Sequence, residues 1–135
     1  MKKLALFMGI LAFVITFSTC SGKPGKTGNV VITLDESRKF SEEEVESAVD
    51  CVLEKFKDFE GCELQKLWYD EERSNAEVDD RGSEEENIIV LFSEFYVGHI
   101  GVDPGFSTDS NYTEWMWVIM RDSKTDSWSV VSWGY

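Results

Sequence analysis

The sequence predicts an α+β domain in which one N-terminal amphipathic helix packs on a curved antiparallel sheet of about four strands. Three observations carry that expectation: apolar residues at helical spacing behind a marked helix start, four β-prone segments after residue 62, and strands longer than the helix they must cover. The 135 residues suffice for one domain. Although 26 acidic against 13 basic side chains leave a net charge of −13, a 42% hydrophobic and 13% aromatic content supplies a core.

Residues 1–19 read as an export leader. Lys2 and Lys3 precede Leu4 to Phe17, a run whose sole polar side chain is Thr16, and these are the charged and apolar regions of a secretory signal. The run falls short of the roughly 20 residues that an apolar helix needs to cross a bilayer. An uncleaved anchor extended through Gly22 is the other reading. Cys20 directly follows Phe17-Ser18-Thr19. This arrangement resembles the lipobox of bacterial lipoproteins, with Phe17 where Leu is preferred and Thr19 where Gly or Ala is usual. The resemblance implies lipidation of the Cys20 sulfur and cleavage just before it. Several acyl chains hold a membrane firmly where one binds reversibly. Residues 20–29 then form the lipidated cysteine and a flexible tether, since Gly22, Pro24, Gly25 and Gly28, with Lys23 and Lys26, leave little to bury.

Residues 30–135 form the single α+β domain. Val30 to Leu34 is a short β-prone run, either an edge strand or a lead-in. The helix start lies at Phe40-Ser41-Glu42-Glu43-Glu44-Val45: Ser41 caps, Glu44 completes the capping box, and Phe40 can staple onto Val45. The three glutamates face the positive end of the helix dipole. Val45, Val49, Val52, Phe56 and Phe59 then recur at spacings of three and four, which makes an amphipathic helix from Ser41 to Phe59 with Gly61 as its stop.

Four strands follow. Glu63 to Tyr69 alternates poorly, Asn87 to Val97 is nearly continuously apolar and reads as the central strand, and Tyr112 to Arg121 joins Trp128 to Gly134 through a polar hairpin connection. The eleven residues of Asn87 to Val97 would span about 37 Å, longer than the helix, so the sheet is expected to curve around it. Asp70 to Glu86, rich in carboxylates, is expected to be a solvated loop without the pattern of an EF-hand.

The acidic balance excludes nucleic acid as a partner, because duplex recognition depends on Lys and Arg neutralising phosphates. With Cys20 assigned to lipid, Cys51 and Cys62 form an even pair in an exported chain; they read as a disulfide, with two buried thiols as the alternative. The pattern calls for no cofactor and no metal: there is no CxxC, and His99 is the sole histidine. Glu94, alone among apolar neighbours, is a catalytic candidate, as a general acid or base if it faces an enclosed cavity. His99 is the other, with Asp103, Asp109, Ser107 and Ser110 in the same loop but without evidence that they converge. Trp115, Trp117 and Trp128 belong either to an aromatic core or to a ligand platform.

Cys20, the Phe40-Ser41 helix start, Cys51 with Cys62, Leu67-Trp68-Tyr69-Asp70-Glu71 and the closing Trp133-Gly134-Tyr135 together resemble small Gram-positive bacterial lipoproteins with a domain of unknown function. That domain is similar to the cystatin-like or NTF2-like cone. The resemblance implies a curved sheet on an N-terminal helix and transfers no catalytic residue. The expectation is a non-enzymatic binding or accessory domain on the extracytoplasmic face of the bacterial cell membrane, lipid-anchored through Cys20, with a small ligand or a cell-envelope protein as partner. The alternative is a small hydrolase or isomerase using an NTF2-like pocket with His99 or Glu94.

Overall fold

A computed structural model of the chain describes residues 23–82 and 85–135. The expected leader and Cys20 lie outside the described residues. The elements run β1 (Val31–Leu34), α1 (Glu42–Phe56), β2 (Cys62–Tyr69), α2 (Glu71–Arg81), a short 3-10 turn (Glu85–Asn87), β3 (Ile88–Val97), β4 (Ser110–Met120) and β5 (Ser129–Gly134). The five strands form one sheet in the order β1-β2-β3-β4-β5. β1 pairs with β2 in parallel and every other pair is antiparallel. The run at Val31 is thus a true strand, and α1 supplies the crossover that a parallel neighbour requires.

The α1 start follows the sequence logic. Ser41 Oγ accepts from the Glu44 amide at 3.1 Å while the Ser41 amide donates to Glu44 Oε1 at 2.8 Å, satisfying two of the amides a helix start leaves open. Val45, Ala48, Val49, Val52 and Phe56 bury the stripe against Leu64, Leu67, Ile89, Leu91, Phe95, Trp117 and Ile119 on one face of the sheet, the inner face. The helix ends three residues earlier than its periodicity suggests, yet Phe59 stays in the core from the turn that follows.

The expected loop from Asp70 to Glu86 is in large part a helix. Asp70 caps α2 by accepting from the Arg73 amide at 3.1 Å, and Gly82 closes it in the left-handed conformation with φ 64°. Its charge concealed it, because only Ser74 and Val78 are buried. Val78 packs with Ile88, Val90, Phe92 and Val118 on the opposite, outer face of the sheet. Ser74 Oγ accepts from the Val90 amide at 3.0 Å and fastens the helix to β3.

This second helix overturns the cystatin-like or NTF2-like cone. The sheet is open and mixed, with five strands and two helices, and it is neither curled nor closed. A strand apolar on one face rolls around its single helix. β3 is apolar on both, with Ile89, Leu91 and Phe95 inward and Ile88, Val90 and Phe92 outward, so cover from both sides replaces curvature.

The disulfide is likewise overturned: Cys51 and Cys62 are both free. Cys51 Sγ donates to the Trp128 carbonyl at 3.2 Å, toward the β5 side of α1, whereas Cys62 opens β2 and its thiol turns to the Glu60 carbonyl at 3.8 Å. β3 and β4 stand between β2 and β5, and the chain leaving Gly61 enters β2 directly instead of climbing back along α1. Burial raises both thiol pKa values, that of Cys62 to about 11.

Residues 23–29, expected as part of a flexible tether, lie against the domain. The Gly61 amide donates to the Lys23 carbonyl at 3.1 Å, Gly25 to Lys57 at 3.0 Å, Lys26 to Cys62 at 2.9 Å and Leu64 back to Lys26 at 2.9 Å. Lys26 pairs with Glu63 in parallel, so the segment extends the edge that β1 continues. Gly25 is fully covered, and a Cβ there would run into the Phe56 carbonyl oxygen.

Candidate functional site

Glu94 sits where both neighbouring strands bulge. Between β2 and β3 the register passes from Leu64↔Phe95 to Lys66↔Glu94, leaving Gln65 as an extra residue. Between β3 and β4 it passes from Ser93↔Trp115 to Phe95↔Tyr112, again with one residue too many. Glu114, inside the second bulge, holds φ at 57°, a conformation that L residues other than Asn and Asp seldom adopt. Bulges shift side-chain parity: Leu64 and Leu67 both reach the inner core, as do Tyr112 and Trp115, and Phe95 and Tyr112 stack at 5.3 Å.

The consequence on the outer face is a shallow hollow of about 550 Å³, lined among others by Val31, Thr33, Lys66, Trp68, Glu94 and Glu114. Asp70, the N-cap of α2, is part of its lining. Arg73 pairs with Glu114 at 2.6 Å, and its guanidinium carbon lies 4.1 Å over the Phe92 ring. Glu94 is half-buried there, and its side chain has no hydrogen bond or ion pair among the described residues. Asp35 and Asp70 add further carboxylates to the lining, so Lys66 is outnumbered.

His99 lies elsewhere, on a hollow of about 380 Å³ with Lys23, Pro24, Lys26, Tyr96 and Ile100. Its Nδ1 is 3.2 Å from Asp109 Oδ1, and Tyr96 Oη donates to the same oxygen at 2.7 Å. The Tyr96 hydrogen bond, then the His99 bond, holds the Asp109 carboxyl below its usual value. The loop's other polar groups are engaged locally: Ser110 Oγ donates to the Ser107 carbonyl at 2.6 Å, and Asp103 Oδ1 accepts from the Gly105 amide at 2.8 Å. No serine hydroxyl is bonded to His99 among the described residues. Glu94 and His99, the two sequence candidates, therefore line different hollows.

Trp115, Trp117 and Trp128 are core residues, none more than 8% exposed. Trp117 Nε1 donates to the buried Ser93 Oγ at 2.8 Å, and Trp128 packs edge-on against Phe40 at 5.7 Å. Among the described residues, the exposed large aromatics are Trp133 and Tyr135 at the sheet's β5 end. Among the described residues no group of three or more His, Cys, Asp or Glu side chains is placed to hold a metal ion, and no helix is long and apolar enough to cross a membrane.

Sequence reasoning singled out Glu94 but missed Lys66, Arg73 and Glu114. Arg73 fell in the expected loop, although Asp70 three residues before it is a readable cap. A bulge at Glu114 leaves no sequence signal, because it arises from pairing. Comparison of the chain with protein-family models, curated proteins and solved structures returns no match.

Proposed function

We propose that this chain is a non-enzymatic binding domain, held at the extracytoplasmic face of the cell membrane by acyl chains on Cys20, and that its partner is a cell-envelope protein engaged at the outer-face hollow. One observation carries the choice of site: Glu94, half-buried and without a partner, stands in a hollow bordered by further carboxylates and by the exposed strand β1. A carboxylate in that position favours a ligand that brings an ammonium or guanidinium group, and charge complementarity sets which partners are admitted. Val31, 62% exposed, and Trp68 supply apolar contact beside it. Burial of Trp115, Trp117 and Trp128 speaks against their use as a ligand platform. Glu94 and His99 line different hollows, so a hydrolase or isomerase would have to use one without the other.

Calorimetric titration of the purified chain with extended lysine- and arginine-containing peptides tests the reading. Binding that weakens with salt, is lost in Glu94→Gln and survives His99→Ala is the expected pattern. No measurable binding to any such peptide, or equal binding by Glu94→Gln, contradicts it.

A further inference from the structure

The hollow beside His99 lies where the chain leaves the domain toward Cys20. Because Lys23 and Lys26 are pinned by backbone hydrogen bonds to Gly61, Cys62 and Leu64, the connection to the anchor is not a ten-residue leash. Cys20 is three residues from Lys23, at most about 11 Å of fully extended chain. An anchor on so short a connection fixes which end of the domain meets the membrane.

That end has the composition an interface with lipid requires. Lys23 and Lys26 are exposed, have no ion-pair partner among the described residues, and outnumber Glu63, the carboxylate that lines the hollow with them. Ile100, 78% exposed, is the most solvent-accessible large apolar side chain of the described residues, and it lines the same hollow as the two lysines. Ammonium groups around a projecting aliphatic side chain match anionic headgroups over an acyl layer. The rest of this strongly acidic chain is repelled by such a surface.

We infer that the face formed by Lys23, Lys26 and Ile100 seats on the anionic surface of the bilayer and orients the domain, with α1's N-terminal end pointing away. The inference rests on the proposed attachment at Cys20 but concerns a different surface from the Glu94 hollow. Because α1 runs from Glu42 to Phe56, the Asp122 to Ser127 loop near its start lies about 22 Å from this face along the helix.

The test uses the full chain recovered from native membranes and reconstituted into vesicles of phosphatidylglycerol and phosphatidylethanolamine. Intact mass first reports whether Cys20 is acylated or the leader is retained, which judges the attachment chemistry alone, since either form enters the bilayer near Lys23. Hydrogen exchange then judges the surface. Amides of residues 98–102 are expected to exchange several-fold more slowly than in a Lys23→Glu/Lys26→Glu/Ile100→Glu variant held in the same vesicles, while residues 122–127 match in both. The protection should fade in phosphatidylcholine vesicles. Equal exchange at residues 98–102 in the two proteins overturns the inference, provided that β3 amides show the variant to be folded. A variant that unfolds is replaced by Ile100→Glu alone, read against the same standard. A chain recovered free of membranes, with neither lipid nor leader, overturns both the attachment and the seating.

Discussion

Arg121 Nη1 donates to Glu44 Oε2 at 2.7 Å, tying the residue after β4 to the first turn of α1. The guanidinium also donates through Nη2 to the Glu86 carbonyl at 2.8 Å and lies 4.3 Å over the Trp128 ring. Arg121's side chain is 3% exposed and Glu44's 31%, so the cation is enclosed while its partner keeps contact with water. Arg121→Met takes the donor from Glu44 and from the Glu86 carbonyl and should destabilise the domain by about 2 kcal/mol, the range for losing hydrogen bonds to a charged group. Glu44→Gln, which retains an acceptor, should cost about 1 kcal/mol. Urea unfolding of both variants checks the order; an Arg121→Met midpoint equal to that of the parent refutes it.

Two of the domain's carboxylates make its stability acid-sensitive. The Ser41 amide, helped by Arg121, holds Glu44 below its ordinary value of 4.5. Burial pushes Glu71 up, but hydrogen bonds from Ser37, the Arg38 amide and Tyr69 outweigh it and leave the carboxyl lowered. A lowered folded pKa contributes stability that is present above the unfolded value and lost as pH falls through the folded one. Unfolding free energy should therefore decline on acidification below about pH 4.5, and a Glu44→Gln/Glu71→Gln variant should show a shallower decline.

The thiols give a redox and an alkaline test. With Cys51 and Cys62 free, a reductant should leave the unfolding midpoint where it is. Burial, then the charge of Asp103, raises the Cys62 thiol from 9.0 to about 11. The neutral thiol is thus favoured by the fold, and its contribution is complete below pH 9 and lost as pH rises toward 11. Alkylation of the folded chain at neutral pH should label Cys51, which is half-buried, before the buried Cys62. A midpoint lowered by reductant would restore the disulfide.

Ser93 and Trp117, both fully buried, share a 2.8 Å hydrogen bond at the centre of the inner core, and Ser93 Oγ also donates to the Trp115 carbonyl at 3.2 Å. Ser93→Ala strands the indole N–H and should cost about 1–3 kcal/mol. In a Trp117→Phe background the same change should cost clearly less, since the stranded donor is gone. Additive costs across this double-mutant cycle would show that the bond contributes nothing.

Gly25 tests whether the N-terminal segment is fixed to the domain. Its Cβ position is occupied by the Phe56 carbonyl, so Gly25→Ala must lift the segment off. Faster amide exchange at Lys26, Gly61 and Leu64, the donors of the hydrogen bonds that hold it, should accompany an otherwise native β3. Unchanged exchange would mean that the segment tolerates the methyl group and is not tightly held.

Sequence alone determined what depends on neighbours along the chain. The capping box at Ser41 and Glu44, the Val45 to Phe56 stripe and the doubly apolar run of β3 follow from local hydrogen bonding and periodicity, and the structure contains each. The short run at Val31 was legible as strand but not as parallel to β2, because direction depends on the α1 crossover. α2 was hidden by composition: an almost wholly solvated helix with only Ser74 and Val78 buried carries a weak period, and its caps Asp70 and Gly82 were its sole clear marks. Tertiary structure decided the rest. It set the thiols of Cys51 and Cys62 toward different strands, put Glu94 opposite two bulges, separated it from His99, and fastened Lys23 and Lys26 to the edge of the sheet. Each of these is a pairing between segments distant along the chain, and pairing register, unlike helix periodicity, leaves no trace in the order of residues.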